Sequence, residues 1–155
     1  MFQKIMIPWD GSGVSLAALD AAIDLGRRYG AELTAVSVAG TGPAADPASV
    51  TADPAGSDHQ ADAGRRDQAL SAQLEVSFQE VADRALRAGL DVRHVTVGGD
   101  NPARALREYS REHGFDLIVS GHHQAAKAGR LLPHSVTADL VQGPTPVLVI
   151  GDRSR

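Results

Sequence analysis

The chain has 155 residues, a formal net charge of −4, a hydrophobic content of 43% and no cysteine. Its length favours one domain over residues 1–155, and its acidic balance argues against non-specific nucleic-acid binding, which needs clustered lysine and arginine. The lack of cysteine excludes disulfides and thiolate metal sites. No apolar run approaches the roughly 20 residues of a membrane span, and the first residues lack a signal-peptide layout, so we expect a cytoplasmic protein.

The chain opens with a strand and a helix. The apolar run Lys4 to Pro8 predicts strand one. Ser12 is suited to cap the next helix, because its hydroxyl can accept a hydrogen bond from a free first-turn N–H, and Gly30 is suited to end it. Apolar residues at helical spacing predict the inward face of this helix: Val14, Ala17, Ala18, Ala21 and Leu25.

Leu33 to Val38 predicts strand two, and a long segment rich in Ala, Gly, Pro, Asp and Ser follows it. This segment, residues 39–66, has no residues that could form a core, which is typical of a mobile solvated insertion, and we interpret it as a flexible loop within the domain. Helical spacing returns from Asp67 to Ala88, where Gly89 ends the helix.

The second half continues the alternation of strands and helices. Leu90 to Val97 predicts strand three, whose Arg93 and His94 favour a place near the edge of the sheet. Asn101 followed by Pro102 is a strong signal for a helix start. The remaining elements are a helix stop at Gly114, strand four from Phe115 to Ser120, a last helix marked by Val136, Leu140 and Val141, and strand five from Pro146 to Ile150.

Five strands alternating with four helices predict an α/β fold, with a parallel sheet covered by helices on both faces. Ligands of such sheets bind at the carboxyl ends of the strands, where the strand order reverses. The loop from Ser120 to Val136 leaves strand four and enters a helix, so it is the main candidate for binding phosphate. Asp10, which follows strand one, either binds a ligand or orders the turn that it begins.

Several segments resemble the universal stress protein family over essentially the whole chain. They are the opening I-M-I-P-W-D-G-S, then V-T-V-G-G-D-N-P-A-R-A-L, F-D-L-I-V-S-G-H-H and the closing S-V-T-A-D-L-V-Q-G-P-T-P-V-L-V-I. The resemblance implies a role in the stress response and a Rossmann-like three-layer sandwich, with a five-stranded parallel sheet of order 3-2-1-4-5. It also matches Pro8, Asp10 and Val38 to the adenine end of the family's nucleotide site.

Family members that bind ATP resemble one another in a loop of glycine, two residues, glycine, nine residues, glycine and a hydroxyl residue. Laid on this chain without gaps, the first glycine is Gly121, and the hydroxyl residue is Ser135, followed by Val136. The second and third glycine positions hold Gln124 and His134. Glycine permits positive φ and close approach of backbone N–H to phosphate, and a side chain there costs roughly 1–2 kcal/mol if φ must be positive.

The altered loop leaves two functions open. We expect a dimeric adaptor or survival factor with a degenerate ATP-binding loop. The alternative is a functional ATP- or AMP-binding member that uses the same crevice, in which His122, Lys127 and Arg130 add phosphate contacts.

The residues give less support to a metal site or to serine catalysis. His122, His123 and His134 could gather around a metal with an aspartate such as Asp116 or Asp100, but no i, i+4 pair fixes their geometry. We interpret them as solvated loop residues and expect no metal. No serine has both a base and an acid at a spacing that predicts a catalytic relay, so we expect no catalytic residue and at most a slow hydrolysis of ATP.

A two-component receiver shares the five-stranded parallel sheet but needs an acidic pair after strand one and a lysine after strand five. Asp10 follows strand one without a second acid, and Ile150 is followed by Gly151 and Asp152.

The apolar strand 146–150 should lie at a sheet edge, which is a template for pairing with another chain. We therefore expect a homodimer through this strand, with protein partners still unknown and with neither nucleic acid nor membrane among them. The alternative is that the polar tail blunts this edge.

Overall fold

The computed structural model describes residues 1–39, 72, 75–76, 78–122 and 136–151. Its strands are β1 (Lys4–Pro8), β2 (Glu32–Ala39), β3 (Val92–Gly98), β4 (Leu117–His122) and β5 (Val147–Gly151). Its helices are α1 (Gly13–Tyr29), α2 (78–87 in its continuous described part), α3 (Pro102–His113) and α4 (Val136–Val141). The strands form an all-parallel sheet of order β3-β2-β1-β4-β5. The predicted fold class, strand order and complement of helices are confirmed.

The bounds of several strands differ slightly from those predicted. β2 runs one residue into the segment that we interpreted as a loop, because Ala39 pairs with Gly98 of β3. The rest of that segment lies outside the described residues. β3, β4 and β5 each begin one or two residues later than predicted and end one or two residues later.

The predicted helix ends are confirmed by their hydrogen bonds. Ser12 precedes α1, and its side chain accepts from the N–H of Ser15. Asn101 does the same for α3 through the N–H of Arg104. Gly30 and Gly114 end these helices with φ of 67° each, a backbone conformation that glycine adopts without the steric cost of a side chain.

The sheet separates two hydrophobic clusters. One lies beneath α1 and α2 and includes Ile5, Ile7, Leu19, Ile23, Leu33, Val81 and Val119. The other lies beneath α3 and α4 and includes Met6, Val36, Leu106, Ile118 and Leu140. The helices therefore form the two outer layers of a three-layer sandwich. Within the described ranges, no helix has both the length and the apolar character that a bilayer crossing requires.

The buried face of α1 matches the predicted one only in part, since Val14 and Ala18 are buried as expected. Leu19 and Ile23 are buried, whereas Ala17, Ala21 and Leu25 are only partly buried. Alanine occurs on both sides of this helix, so spacing alone allows two apolar faces. The face with the larger side chains packs against the sheet, because burying them removes more apolar area from water.

Candidate functional site

The strands β1 and β4 separate toward their carboxyl ends. Their pairing is limited to two residue pairs, Ile5 with Leu117 and Met6 with Ile118. β1 nevertheless continues to Pro8 and β4 to His122. On its other side, β1 pairs with β2 along its whole length. The strand order reverses at β1, so this opening is a crevice where parallel sheets bind ligands.

Three predicted site residues face the same side of this crevice. Side chains alternate along a strand, so Pro8 shares the face of Met6 and Val38 that of Val36, two positions earlier. His122 likewise shares the face of Ile118, four positions earlier. These earlier residues are buried beneath α3 and α4, and Val38 packs against the same cluster. The structure therefore places Pro8, Val38 and His122 on the α3 and α4 side of the sheet.

Gly121 lies against the first turn of α1. A Cβ built on it would overlap the Val14 carbonyl group and lie 3.0 Å from the Ser15 nitrogen. Both neighbours are backbone atoms, which cannot move aside as a flexible side chain can. Glycine is therefore required here by the packing of α1 on β4, whether or not a phosphate binds.

Hydroxyl groups tie the end of β4 to α4. The Oγ of Ser120 and the Oγ1 of Thr137 are 3.0 Å apart, and Thr137 Oγ1 donates to the Gly121 carbonyl at 3.1 Å. Both side chains are buried. Val136 precedes Thr137 and is 36% exposed. These bonds fix the carboxyl end of β4 relative to α4 and hold Val136 near that end.

Asp10 orders the turn between β1 and α1. Its Oδ1 accepts from the N–H of Ser12 at 2.9 Å, and Gly11 has a φ of 76°. Ser12 in turn caps α1 through the N–H of Ser15 at 3.3 Å. The local role that we considered for Asp10 is confirmed, and because the residue is exposed, a role in ligand binding is compatible with it.

The remaining predicted site residues, Gln124, Lys127, Arg130, His134 and Ser135, lie outside the described residues. Asp116 is far from the crevice along β4, because its carboxylate accepts from the N–H groups of Gln3 and Lys4 at the amino edge of the sheet. Among the described residues, no three His, Cys, Asp or Glu side chains come together as metal ligands.

The sequence model of the universal stress protein family matches residues 1–151. This chain belongs to that family. "Universal stress protein YxiE" of Bacillus subtilis (strain 168) is 28% identical over 151 residues, which cover 97% of this chain and 99% of the relative.

Two solved structures of the family are similar along nearly all of both chains. "Universal stress protein UspA from Lactobacillus plantarum" is 23% identical with a TM-score of 0.75, over 96% of this chain and 97% of that one. "Crystal structure of universal stress protein in complex with cAMP" is 32% identical with a TM-score of 0.67, again over 96% and 97%. The second of these family members was crystallised with an adenine nucleotide.

A second polar cluster lies beside the crevice, on the α1 and α2 face of the sheet. Ser37 of β2 donates its hydroxyl proton to the Trp9 carbonyl at 2.9 Å, and its Oγ lies 2.8 Å from His94 Nε2 on β3. The His94 ring stacks on Phe78 of α2, with 4.5 Å between the centroids and 24° between the planes. Trp9 meets the same Phe78 ring edge-on at 6.2 Å.

The hydrogen bonds of Ser37 determine how His94 is protonated. A serine hydroxyl has one proton, and the Trp9 carbonyl can only accept, so His94 Nε2 must carry the proton in the second bond. The Ser37–His94 pair therefore lacks the geometry of a nucleophile and its base, in which the serine proton points to the histidine. Ser37 is also buried, with 3% of its surface exposed.

This cluster was not predicted, although the alternation of residues along β2 and β3 contained a signal for it. Ser37 lies on the same face of β2 as Leu33 and Ala35, and His94 lies on the same face of β3 as Val92. These three apolar residues are buried. Polar residues on the buried faces of neighbouring strands are therefore candidates for hydrogen bonding to each other.

The environment of His94 makes folding stability depend on pH. Burial lowers the pKa of His94, and the opposing attraction of Glu75 is the smaller effect. Between the lowered value and the ordinary value of about 6.5, the unfolded chain binds more protons than the folded one, so stability falls as the pH falls below about 6.5.

We expect His94→Gln to lose less stability than the wild-type protein between pH 7.5 and pH 5. Glutamine keeps an N–H donor for Ser37 but does not titrate. Urea unfolding followed by the fluorescence of Trp9, the single tryptophan, measures both slopes. The other histidines contribute equally to both proteins, so equal slopes would contradict the assignment.

Proposed function

We propose that this chain is an adenine-nucleotide-binding stress-response protein whose crevice between β1 and β4 prefers a monophosphate such as AMP over ATP. The observation that supports this most is the separation of β1 from β4 beside Pro8, Asp10 and Val38. These residues match the adenine end of the family's site. The 32% identical structure in complex with cAMP also supports a ligand with one phosphate.

The preference for a monophosphate follows from the loop sequence. The first glycine of the ATP loop pattern is present as Gly121, whereas Gln124 and His134 stand where the pattern has glycine. Each side chain costs roughly 1–2 kcal/mol if φ must be positive there. A ligand that ends at its first phosphate avoids part of this cost, because the family resemblance places His134 beside the terminal phosphate.

Isothermal titration calorimetry with AMP and ATP, on the wild-type protein and on Asp10→Asn, tests the proposal. Asparagine keeps an oxygen for the Ser12 N–H but loses the charge, so AMP affinity should fall about tenfold if a charged hydrogen bond is lost. Asp116→Asn is the matched control, because it removes a carboxylate that accepts backbone N–H groups at the opposite edge. Equal affinity in all three proteins, or no heat with AMP, would contradict the proposal.

A second candidate function is that of a dimeric adaptor that binds no nucleotide. It is supported by β5, which forms one edge of the sheet and exposes Leu148 and Val149 at 38% and 41%. We propose that a second copy of the chain pairs with this edge in either case. A dimer whose thermal unfolding is unaffected by AMP and ATP would favour the adaptor, since a bound ligand must raise stability.

A further inference from the structure

We propose that Ser37 and His94 are positioning residues for the nucleotide crevice, although they lie on the opposite face of the sheet from Pro8 and Val38. They act through the peptide group that joins Trp9 to Asp10. The inference rests on the proposed function for its ligand, but its geometry rests on contacts within the described residues.

Trp9 is held by both of its backbone polar groups. Its N–H donates to the Val36 carbonyl at 2.9 Å, and its carbonyl accepts from Ser37 Oγ at 2.9 Å. Trp9 is buried, with 4% of its surface exposed. The Trp9 carbonyl belongs to the same planar peptide as the Asp10 nitrogen. Fixing this carbonyl therefore fixes the plane from which the Asp10 turn starts.

The hydrogen bonds that follow Trp9 along the chain make the turn depend on the orientation of the Trp9–Asp10 peptide. Asp10 Oδ1 accepts from the Ser12 N–H at 2.9 Å, and Ser12 caps α1. A rotation of the Trp9–Asp10 peptide would displace the carboxylate that we assign to the adenine end. Without Ser37, the Trp9 carbonyl would lack this bond and the peptide would be less restrained.

His94 selects the orientation of the Ser37 hydroxyl. Since His94 Nε2–H donates to Ser37 Oγ, the serine proton is directed to the Trp9 carbonyl. Stacking on Phe78 holds the imidazole ring in place. Two hydrogen bonds, from His94 to Ser37 and from Ser37 to the Trp9 carbonyl, therefore connect β3 and α2 to the crevice.

Protonation of His94 should weaken this arrangement. The groups that act on the imidazole are Phe78 from α2, Ser37 from β2 and the exposed carboxylate of Glu75, whose attraction opposes the effect of burial. Because Nε2 already carries a proton, protonation adds the second proton at Nδ1 and places a charge in this partly buried stack. Acid should therefore loosen the stack and lower the affinity of the crevice for nucleotide.

Hydrogen exchange of the Ser12 amide in the ligand-free protein tests the positioning role directly. Ser37→Ala should speed this exchange about tenfold, in line with the loss of one buried hydrogen bond. His94→Gln should stay near the wild-type rate, because glutamine can donate to Ser37. Ser110→Ala is the matched control, since Ser110 is fully buried and its Oγ lies 3.0 Å from Thr145 Oγ1 beneath the far end of α3.

AMP affinity measured at pH 7.5 and pH 5.5 gives the functional readout. Ser37→Ala should bind about tenfold more weakly at both pH values. The wild-type protein should lose more affinity on acidification than His94→Gln, and Ser110→Ala should follow the wild type. Because the nucleotide titrates equally in every case, the difference between proteins isolates His94.

An unchanged Ser12 exchange rate in Ser37→Ala would overturn the positioning role. Equal acid sensitivity of AMP affinity in the wild type and His94→Gln would overturn the part assigned to His94. If the wild-type protein binds no AMP, the proposed function fails, while the Ser12 exchange rate still decides whether Ser37 positions the turn.

Discussion

Gly121→Ala should lower the free energy of unfolding by about 3 kcal/mol or more, at the upper end of what overpacking costs. The added methyl group would overlap the Val14 carbonyl group in the first turn of α1. Relief requires that α1 move away from β4, which also disturbs the buried residues beneath α1. Thermal unfolding should show a melting temperature lower by about 10 °C for a chain of this size.

Gly98→Ala is the control for this substitution. Gly98 also ends a strand, and a Cβ on it would have no atom within 4 Å. Its melting temperature should stay close to that of the wild-type protein. If both alanine variants were equally stable, the close packing of Gly121 on α1 would be wrong.

Val149→Lys should convert the proposed dimer into a monomer. Val149 is exposed on the edge strand β5, and two-fold pairing would bury two copies of the new lysine. A buried charge without a partner costs at least as much as an unpaired polar group, roughly 1–3 kcal/mol, so two lysines should raise the dissociation constant about 100-fold or more. Analytical ultracentrifugation measures this as a fall from about twice the chain mass of 16.2 kDa.

Leu86→Lys is the matched control for the dimer. Leu86 is 60% exposed on α2, away from β5, so the same charge is added to an apolar surface residue. It should sediment like the wild-type protein. A wild-type protein that sediments as a monomer at high concentration, or a Val149→Lys variant that remains a dimer, would contradict pairing through β5.

The order of the elements could be predicted because the local signals agree with one another. Apolar runs, capping residues and terminal glycines each pointed to the same boundaries, as at Ser12, Gly30 and Asn101. Strand order came from the family resemblance rather than from the pattern of residues. The buried face of α1 could be predicted only in part, since its alanines allow two faces and only the sheet decides between them.

The site was predictable only in part. Spacing and resemblance indicated Pro8, Asp10 and Val38, and the structure places them where β1 and β2 end. The contact of Ser37 with His94 joins residues 57 positions apart, so strand alternation marks each of them as a buried polar residue but could not pair them. It depends on the parallel register that places β2 beside β3.

The structural role of Gly121 changes how the loop pattern is interpreted. Because α1 excludes a side chain at this position, glycine would be needed here even in a protein that binds no nucleotide. Its presence therefore gives little support to ATP binding, and the altered positions at Gln124 and His134 carry more information. Evidence for a ligand must come from the separated ends of β1 and β4 and from direct binding.

Nuclear magnetic resonance titration of the isotope-labelled protein with AMP tests the central claim most directly. AMP should shift the amide signals of Asp10, Gly11, Val38 and Gly121 and leave that of Asp116, at the amino edge, unchanged. ATP should give the same pattern but need about 30-fold higher concentration or more, because each of the two altered loop positions costs roughly 1–2 kcal/mol if φ must be positive there. Shifts confined to other parts of the chain, or ATP that binds more tightly than AMP, would contradict it.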